Sequence, residues 1–175
     1  MISIERATND DIDEFLRSAI ALVAEDAGRH DPDATDLGWA DRSGRAYAEG
    51  ALSGRAYAEG ALSGRAYAEG ALSGDNVVLL ARDGQTVVGH LVGRLVGPGN
   101  VHPIRGAELE SIHVYPEHRG GGAGTLLAEA FLEWAARHGA VRASVTAYAA
   151  NEAALRFYAR HGFTARSVIL DRPLP

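Results

Sequence analysis

The chain has 175 residues, a length typical of one domain with a single hydrophobic core. Its 46% hydrophobic and 23% charged residues are ordinary for a folded globular protein. A net charge of -6 argues against a nucleic-acid partner, because neutralising phosphates requires a basic surface.

Cysteine is absent, which excludes disulfides, thiolate nucleophiles and cysteine-based zinc sites. The start MISIERATNDDIDEF lacks a basic segment followed by an apolar one, and no apolar run approaches the roughly 18 residues that a membrane span needs. We therefore expect a cytoplasmic protein with no membrane partner. The seven histidines show no metal-binding spacing, so they are expected to be mostly surface or satisfied core residues and no metal site is predicted.

The first third of the chain reads as a strand, a helix and an acidic loop. ISIERA predicts a strand, and NDDIDEFLRSAIALVAEDAG predicts a helix with acidic residues in its first turn. Apolar residues recur there at helical spacing: Ile12, Phe15, Leu16, Ile20 and Val23. The following residues 25–41 carry six carboxylates against one arginine, a net charge of -5.

An identical decapeptide, GRAYAEGALS, then occurs three times, at 44–53, 54–63 and 64–73. Solenoid repeats are longer and diverge between copies, because each copy must fit its neighbours. Two glycines in each copy would also weaken a long helix. We interpret the triplication as a recent duplication within one helix of a single domain spanning 1–175, and expect the extra copies to lengthen or bulge that helix.

The remaining elements alternate between strands and helices. NVVLLARDGQTVVGHLVGRLVG predicts two strands joined at Asp83-Gly84, a strong hairpin signal. AELESIHVYP predicts a strand, residues 122–138 a helix, VRASVTAY a strand, NEAALRFYARH a helix and FTARSVIL a last strand. The fold class expected is a mixed α/β domain.

The segment RGGGAG, Arg119 to Gly124, lies between a predicted strand and a predicted helix. That arrangement aims backbone N–H groups and the positive end of the helix dipole at an anion, so it predicts a diphosphate site. The dinucleotide pattern G-x-G-x-x-G and the Walker A pattern both fail, the latter because the chain has no lysine. What remains is R-x-x-G-x-G at Arg119, Gly122 and Gly124.

IHVYPEHRGGGAGTLL closely resembles the acyl-CoA signature of the GNAT superfamily of N-acetyltransferases. A second segment, NEAALRFYARHGF, resembles the later N-x-x-A-x-x-x-Y-x-x-x-G-F element of that family. The resemblance implies a central mixed, mostly antiparallel sheet flanked by helices, with acetyl-CoA as co-substrate. It also implies that the diphosphate binds backbone groups of the loop Arg119, Gly120, Gly121, Gly122, Ala123, Gly124 and Thr125, and that the pantetheine arm pairs with Ile112, His113 and Val114.

Three side chains are candidate catalytic residues. The attacking amine must lose a proton, and Glu108 and Glu110 share one face of a regular strand unless a bulge intervenes. Counting back from Arg119 within the family pattern favours Glu108 modestly. The resemblance makes Tyr158 the donor that protonates the CoA thiolate, and places Asn151 near the CoA arm, where it would also cap its helix.

The acidic segment 25–41 would attract a cationic acceptor. The main expectation is therefore acetylation of a primary amine on a small cationic molecule, such as a polyamine or an aminoglycoside-like compound. A protein lysine or N-terminal acetyltransferase and a non-catalytic CoA-binding sensor or scaffold remain alternatives, and a homodimer is possible.

Overall fold

The structure is a computed structural model and describes residues 1–53, 76–98 and 103–172. The strands are β1 (Ile2–Arg6), β2 (Asn76–Asp83), β3 (Thr86–Val96), β4 (Gly106–Val114) and β5 (Ala143–Val145). The helices are α1 (Ile12–Glu25), α2 (Ala27–His30), α3 (Arg45–Ser53), α4 (Ala123–Arg137) and α5 (Glu152–Arg160). Short 3-10 turns precede α1 and α4, and a π-helical turn at Ala40–Gly44 leads into α3.

The five described strands form one sheet in the order β1-β2-β3-β4-β5. The first three pairings are antiparallel, and β4 pairs with β5 in parallel. Asp83 pairs with Thr86 across the predicted hairpin, and Gly84 takes a left-handed φ of +60°, which glycine adopts without strain. The mixed, mostly antiparallel sheet that the sequence predicted is confirmed.

Helices cover both faces of this sheet. On one face, Leu127, Phe131 and Trp134 of α4 pack against the sheet in a cluster that includes Leu91 and Leu109. On the other face, residues of α1 and α3 pack in a second cluster that includes Phe15, Ala48 and Val92. Apolar side chains on two faces of the sheet explain why β2 and β3 read as nearly continuous apolar runs.

A β-bulge in β4 changes which way its side chains face. Val92 pairs with Ser111 and Gly93 pairs with Leu109, so Glu110 has no partner on β3. Before the bulge, Ala107 and Leu109 pack on the α4 side; after it, Ile112 and Val114 do. The side chains facing α4 thus change from odd-numbered to even-numbered positions, and Ser111 and His113 turn toward α1.

Three of the sequence-based element assignments are wrong. FTARSVIL is not a strand: residues 163–170 pair with no strand in the described part of the chain, and Val168, Ile169 and Leu170 are exposed. Strand formation requires a partner, and β5 offers only three residues instead of the eight predicted for VRASVTAY. The predicted first helix is divided into a 3-10 turn, α1 and α2.

The first copy of the decapeptide is helical, since α3 spans Arg45–Ser53. Copies two and three, at 54–73, lie outside the described residues, and so does the prediction that they lengthen or bulge this helix. Among the residues that the structure covers, no helix is both long enough and apolar enough to cross a membrane.

Candidate active site

The glycine loop has the geometry of an anion cradle. Gly120 and Gly122 take left-handed φ angles of +82° and +88°, and a Cβ atom on either would meet nothing within 4 Å. Gly122 is the N-cap of α4 and provides no side-chain cap. The first N–H groups of an α-helix have no acceptor within the helix, so those of Ala123, Gly124 and Thr125 remain available to an anion. The loop thus fits a diphosphate.

Next to this loop, β4 and β5 separate. Their pairing covers only Ala107 to Leu109 on β4, although β4 continues to Val114. Beyond Leu109 the β5-facing edge of β4 has no strand partner in the described chain. The side chain of Arg119 closes the far end, where its Nε donates a 2.8 Å hydrogen bond to the Val114 carbonyl. Backbone groups at 112–114 therefore line a wedge that leads to the glycine loop.

Both predicted carboxylates contact one arginine of β3. Arg94 Nη2 donates a 2.5 Å hydrogen bond to Glu108 Oε2, and Arg94 Nε lies 2.8 Å from Glu110 Oε1 without hydrogen-bond geometry. Burial raises the pKa of Glu110; the charge of Arg94 opposes this effect and that of Glu108 adds to it. Glu110 retains 31% side-chain exposure at the bulge, against 19% for Glu108. The Glu110 side chain is therefore partly accessible to solvent and binds a proton more readily than an ordinary glutamate does.

Asn151 and Tyr158 lie at the start and near the end of α5. Asn151 Oδ1 accepts a 3.0 Å hydrogen bond from the Ala154 N–H, which confirms the predicted helix cap, and its Nδ2 donates to Asp26 Oδ1 at 2.9 Å. Burial, and secondarily the charge of Asp26, raises the pKa of Tyr158 to about 12. The Tyr158 hydroxyl consequently keeps its proton throughout the neutral range.

Sequence reasoning missed a buried polar chain beneath the bulge. His90 Nε2 lies 3.3 Å from Ser111 Oγ, and His90 Nδ1 lies 2.7 Å from Ser18 Oγ of α1. Ser18 Oγ is in turn 3.0 Å from His113 Nδ1. Ser18 and His90 are fully buried and His113 is 3% exposed. The signal available in the sequence was a polar residue, His90, within an otherwise apolar strand.

The buried polar chain of side chains ends near the surface at the ion pair of Glu25 and Arg119. His113 Nε2 lies 3.2 Å from Glu25 Oε1, and the other carboxylate oxygen of Glu25 pairs with Arg119 of the glycine loop. Burial tends to raise the pKa of Glu25, but hydrogen bonds from Arg119 and His113 outweigh it, so the pKa is lowered. Burial lowers the pKa of His113 despite the opposing effect of Glu25.

Two carboxylates of the acidic segment 25–41 pair with arginines outside it: Glu25 pairs with Arg119 and Asp36 pairs with Arg42. Burial raises the pKa of Tyr148, and nearby carboxylates at Asp31 and Asp26 raise it further. The end of α1 and the region around α2 thus bring negative charge to the start of α5.

A separate cavity and the possible metal ligands do not extend the site. A cavity of about 340 Å³ lies beside α1 and the β2–β3 hairpin, but its lining, which includes Glu14, Gln85 and Tyr115, contains none of the predicted site residues. Within the described ranges, no group of three or more His, Cys, Asp or Glu side chains is arranged to hold a metal ion.

Comparison with known proteins identifies the family. The model of the acetyltransferase (GNAT) family matches residues 39–163. No curated protein sequence matches the chain.

Solved structures share the fold. A protein from Pyrococcus furiosus assigned as an acetyl transferase is 18% identical with a TM-score of 0.72, over 99% of this chain and 100% of that one. A ribosomal-protein-alanine N-acetyltransferase from Brucella melitensis biovar Abortus 2308 is 19% identical with a TM-score of 0.65, over 100% of both chains. AAC(6')-Iy, in complex with the bisubstrate analogue CoA-S-monomethyl-acetylneamine, is 15% identical with a TM-score of 0.64, over 100% of this chain and 99% of that one. The family match, which covers well over half of the sequence, establishes that this chain belongs to the GNAT family of acyl-CoA-dependent N-acetyltransferases.

Proposed function

We propose that this enzyme transfers an acetyl group from acetyl-CoA to the primary amine of a small cationic acceptor, such as a polyamine or an aminoglycoside-like compound. One observation carries the proposal: β4 connects the carboxylates at its bulge, the unpaired edge beyond Leu109, and the glycine loop, which contacts its last residue Val114. A thioester lying along the edge of β4 would present its carbonyl to an amine held by those carboxylates.

In this proposal the loop from Arg119 to Thr125 holds the CoA diphosphate through its backbone N–H groups. The pantetheine arm pairs with the free edge at Ile112, His113 and Val114, and an N–H there stabilises the oxyanion of the tetrahedral intermediate. One such donor contributes about 3 to 4 kcal/mol in the transition state of acyl transfer. The 2.8 Å bond from Arg119 fixes the end of β4 against the loop and thereby keeps the two binding elements in register.

We assign the general base to Glu110. Its raised pKa and its greater exposure at the bulge suit a group that must accept a proton from an amine arriving from solvent. Glu108, which the sequence pattern favours, is the second candidate; its hydrogen bond to Arg94 suits a role in holding that guanidinium in place.

Tyr158 is proposed to protonate the departing thiolate. Because its pKa is about 12 and that of a thiol is about 8.5, direct transfer would be uphill by on the order of 5 kcal/mol. In the proposed scheme, the proton that Glu110 takes from the attacking nitrogen therefore replaces the proton of Tyr158 as the intermediate collapses. Asn151 supports this region by capping α5 and by its hydrogen bond to Asp26.

A cationic acceptor is supported by the charge distribution. Asp26 and Asp31 surround Tyr148 with negative charge next to the start of α5. AAC(6')-Iy, which shares the fold, carries an analogue that joins CoA to an acetylneamine.

The decisive experiment measures release of CoA from acetyl-CoA with a panel of polyamines, aminoglycosides and lysine-containing or N-terminal peptides. We expect turnover with the small cations, and a loss of roughly 10² to 10⁴-fold in kcat for Glu110→Gln. Glu108→Gln separates the two carboxylates, and Glu129→Gln, an exposed glutamate of α4, serves as the matched control. Turnover with peptides alone would replace the proposed acceptor class by a protein acceptor, and CoA binding without any turnover would favour a sensor.

A further inference from the structure

The buried polar chain Ser111–His90–Ser18–His113, hereafter the serine–histidine chain, has no role in the acyl-transfer scheme above. Its members come from three elements: β4, β3 and α1. It begins at the residue after Glu110 and ends against Glu25, whose side chain is 35% exposed. Its four side chains therefore connect the bulge of β4, where the proposed reaction takes place, to the protein surface.

The donor and acceptor at every link can be deduced from the outer end. Ionised Glu25 can only accept, so His113 must donate through Nε2. A neutral His113 then accepts at Nδ1, and the Ser18 hydroxyl donates to it. The oxygen of Ser18 accepts from His90 Nδ1, which leaves His90 Nε2 as an acceptor for the Ser111 hydroxyl. In this state every donor points away from the reacting face.

Adding one proton to His113 reverses the whole chain. Both nitrogens of the imidazolium donate, so Ser18 now accepts from His113 Nδ1 and its hydroxyl must donate to His90 Nδ1. His90 changes tautomer, and its Nε2–H donates to Ser111. The two states differ by one proton on His113, yet His90 stays neutral in both. This fits full burial of His90, which lowers its pKa to about 3.

We propose that the serine–histidine chain carries a proton from the acceptor's ammonium group to His113, so that the acceptor becomes a nucleophile. The inference rests on the proposed function, because it requires the acceptor to lie at the bulge. A cationic acceptor must lose two protons during amide formation, whereas Glu110 and Tyr158 together account for the one that ends on the CoA thiol. The serine–histidine chain provides a route for the other.

The transfer balances atom by atom. The ammonium N–H bond breaks as a new O–H bond forms on Ser111, whose own proton moves to His90 Nε2. The proton on His90 Nδ1 moves to the Ser18 oxygen, and the original Ser18 proton moves to His113 Nδ1. The products are a neutral amine and an imidazolium paired with Glu25, and exchange with solvent resets the chain.

The surroundings of His113 set the pH at which it can accept this proton. Burial among β3, β4 and α1 lowers its pKa below 6.5; Glu25 and Glu117 oppose that effect, and Arg119 adds to it. His113 is therefore neutral at physiological pH and ready to accept. Activity should fall as the pH drops through the pKa of His113, because a protonated His113 has already reversed the chain.

The direct test follows the tautomer of His90 by NMR with ¹⁵N-labelled imidazoles and does not depend on catalysis. In the wild-type protein we expect His90 to carry its proton on Nδ1 at high pH and on Nε2 at low pH, with the change following the titration of His113. Ser18→Ala should uncouple the two rings. A His90 tautomer that stays fixed while His113 titrates, or one that still switches in Ser18→Ala, would overturn the proposal.

The kinetic test uses Ser111, which is only partly buried and so carries less risk of unfolding than Ser18. Ser111→Ala should lower kcat on the order of 10²-fold, with KM for acetyl-CoA unchanged. It should also remove the curvature in the plot of kcat against the fraction of D₂O in the solvent, which indicates that several protons move together. Ser111→Thr keeps the hydroxyl and should restore most of the rate, and Ser3→Ala on exposed β1 is the neutral control. An unchanged rate and isotope effect in Ser111→Ala would refute the relay, whereas absence of CoA binding in the wild-type protein, measured by calorimetry, would refute the proposed function itself.

Discussion

Replacing Gly122 by alanine tests the diphosphate cradle with an internal control at the other end of the same helix. Gly122 begins α4 at a φ of +88°, and Gly139 follows its last residues at +79°. An added Cβ would meet nothing within 4 Å at either position. Each substitution therefore costs only the strain of a left-handed non-glycine residue, about 1 to 2 kcal/mol. For a chain of this size that strain lowers the Tm by roughly 2 to 8 °C.

The two variants should differ in CoA binding. The methyl group of Gly122→Ala would stand where the phosphate must approach the N–H groups of the first turn of α4. Losing one charge-assisted hydrogen bond costs about 1.5 to 3 kcal/mol, which weakens the Kd by roughly 10- to 150-fold. Gly139 lies 17 positions further along, about 25 Å away at 1.5 Å per residue, so Gly139→Ala should bind CoA as the wild-type protein does.

Isothermal titration calorimetry with CoA gives the Kd, and thermal unfolding without ligand gives the strain. We expect Gly122→Ala and Gly139→Ala to lower the Tm by similar amounts, and only Gly122→Ala to weaken the binding of CoA. If both variants bind CoA with the wild-type affinity, the loop is a connector and the diphosphate lies elsewhere. If both lose affinity in proportion to their stability, the effect is one of folding and the cradle reasoning fails.

Two further substitutions test the proposed proton donor, Tyr158, and the packing of α4 against the sheet at Gly93. Tyr158→Phe should lower kcat on the order of 10²-fold with little change in KM for acetyl-CoA. Because the pKa of Tyr158 is about 12, the kcat of the wild-type protein should not decline below about pH 10 through loss of this proton. A decline near pH 8 that vanishes in Tyr158→Phe would contradict that assignment. Gly93→Ala would place a Cβ 2.5 Å from the buried ring of Phe131 and should cost about 1 to 3 kcal/mol in urea unfolding, whereas Gly106→Ala, whose nearest neighbour is 3.6 Å away, should change stability by less than about 1 kcal/mol. Equal stability of the two glycine variants would mean that α4 can move away from the sheet.

Local signals predicted the parts of this fold that depend on near neighbours in sequence. The hairpin at Asp83-Gly84, the helix cap at Asn151 and the glycine loop each need residues only a few positions apart. The failed prediction of a strand at FTARSVIL shows the limit of such signals. Val168 and Ile169 favour extended backbone, but a strand also needs a partner, and no local pattern reports how short β5 is.

The polar chain could not be predicted, because its contacts are distant in sequence. Ser18 meets His90 across 72 positions and His113 across 95. Nothing in the helix pattern of α1 distinguishes Ser18 from a small residue packed against the sheet. The sequence predicted that the histidines are mostly surface or satisfied core residues without distinguishing between them, and only the three-dimensional arrangement shows that the partners of His90 and His113 form one continuous path.

The bulge at Glu110 links the two proposed activities of β4. In a regular strand with a period of two, Ser111 and His113 would lie on the same side as Ala107 and Leu109, inside the apolar cluster under α4. Burying those polar groups without partners would cost several kcal/mol. The extra residue instead turns them toward Ser18, and the pairing with the short strand β5 ends at Leu109, next to the bulge. The inserted residue therefore orients the proposed proton path beside the proposed cofactor edge, and we expect a change in the length of β4 at this point to abolish that path.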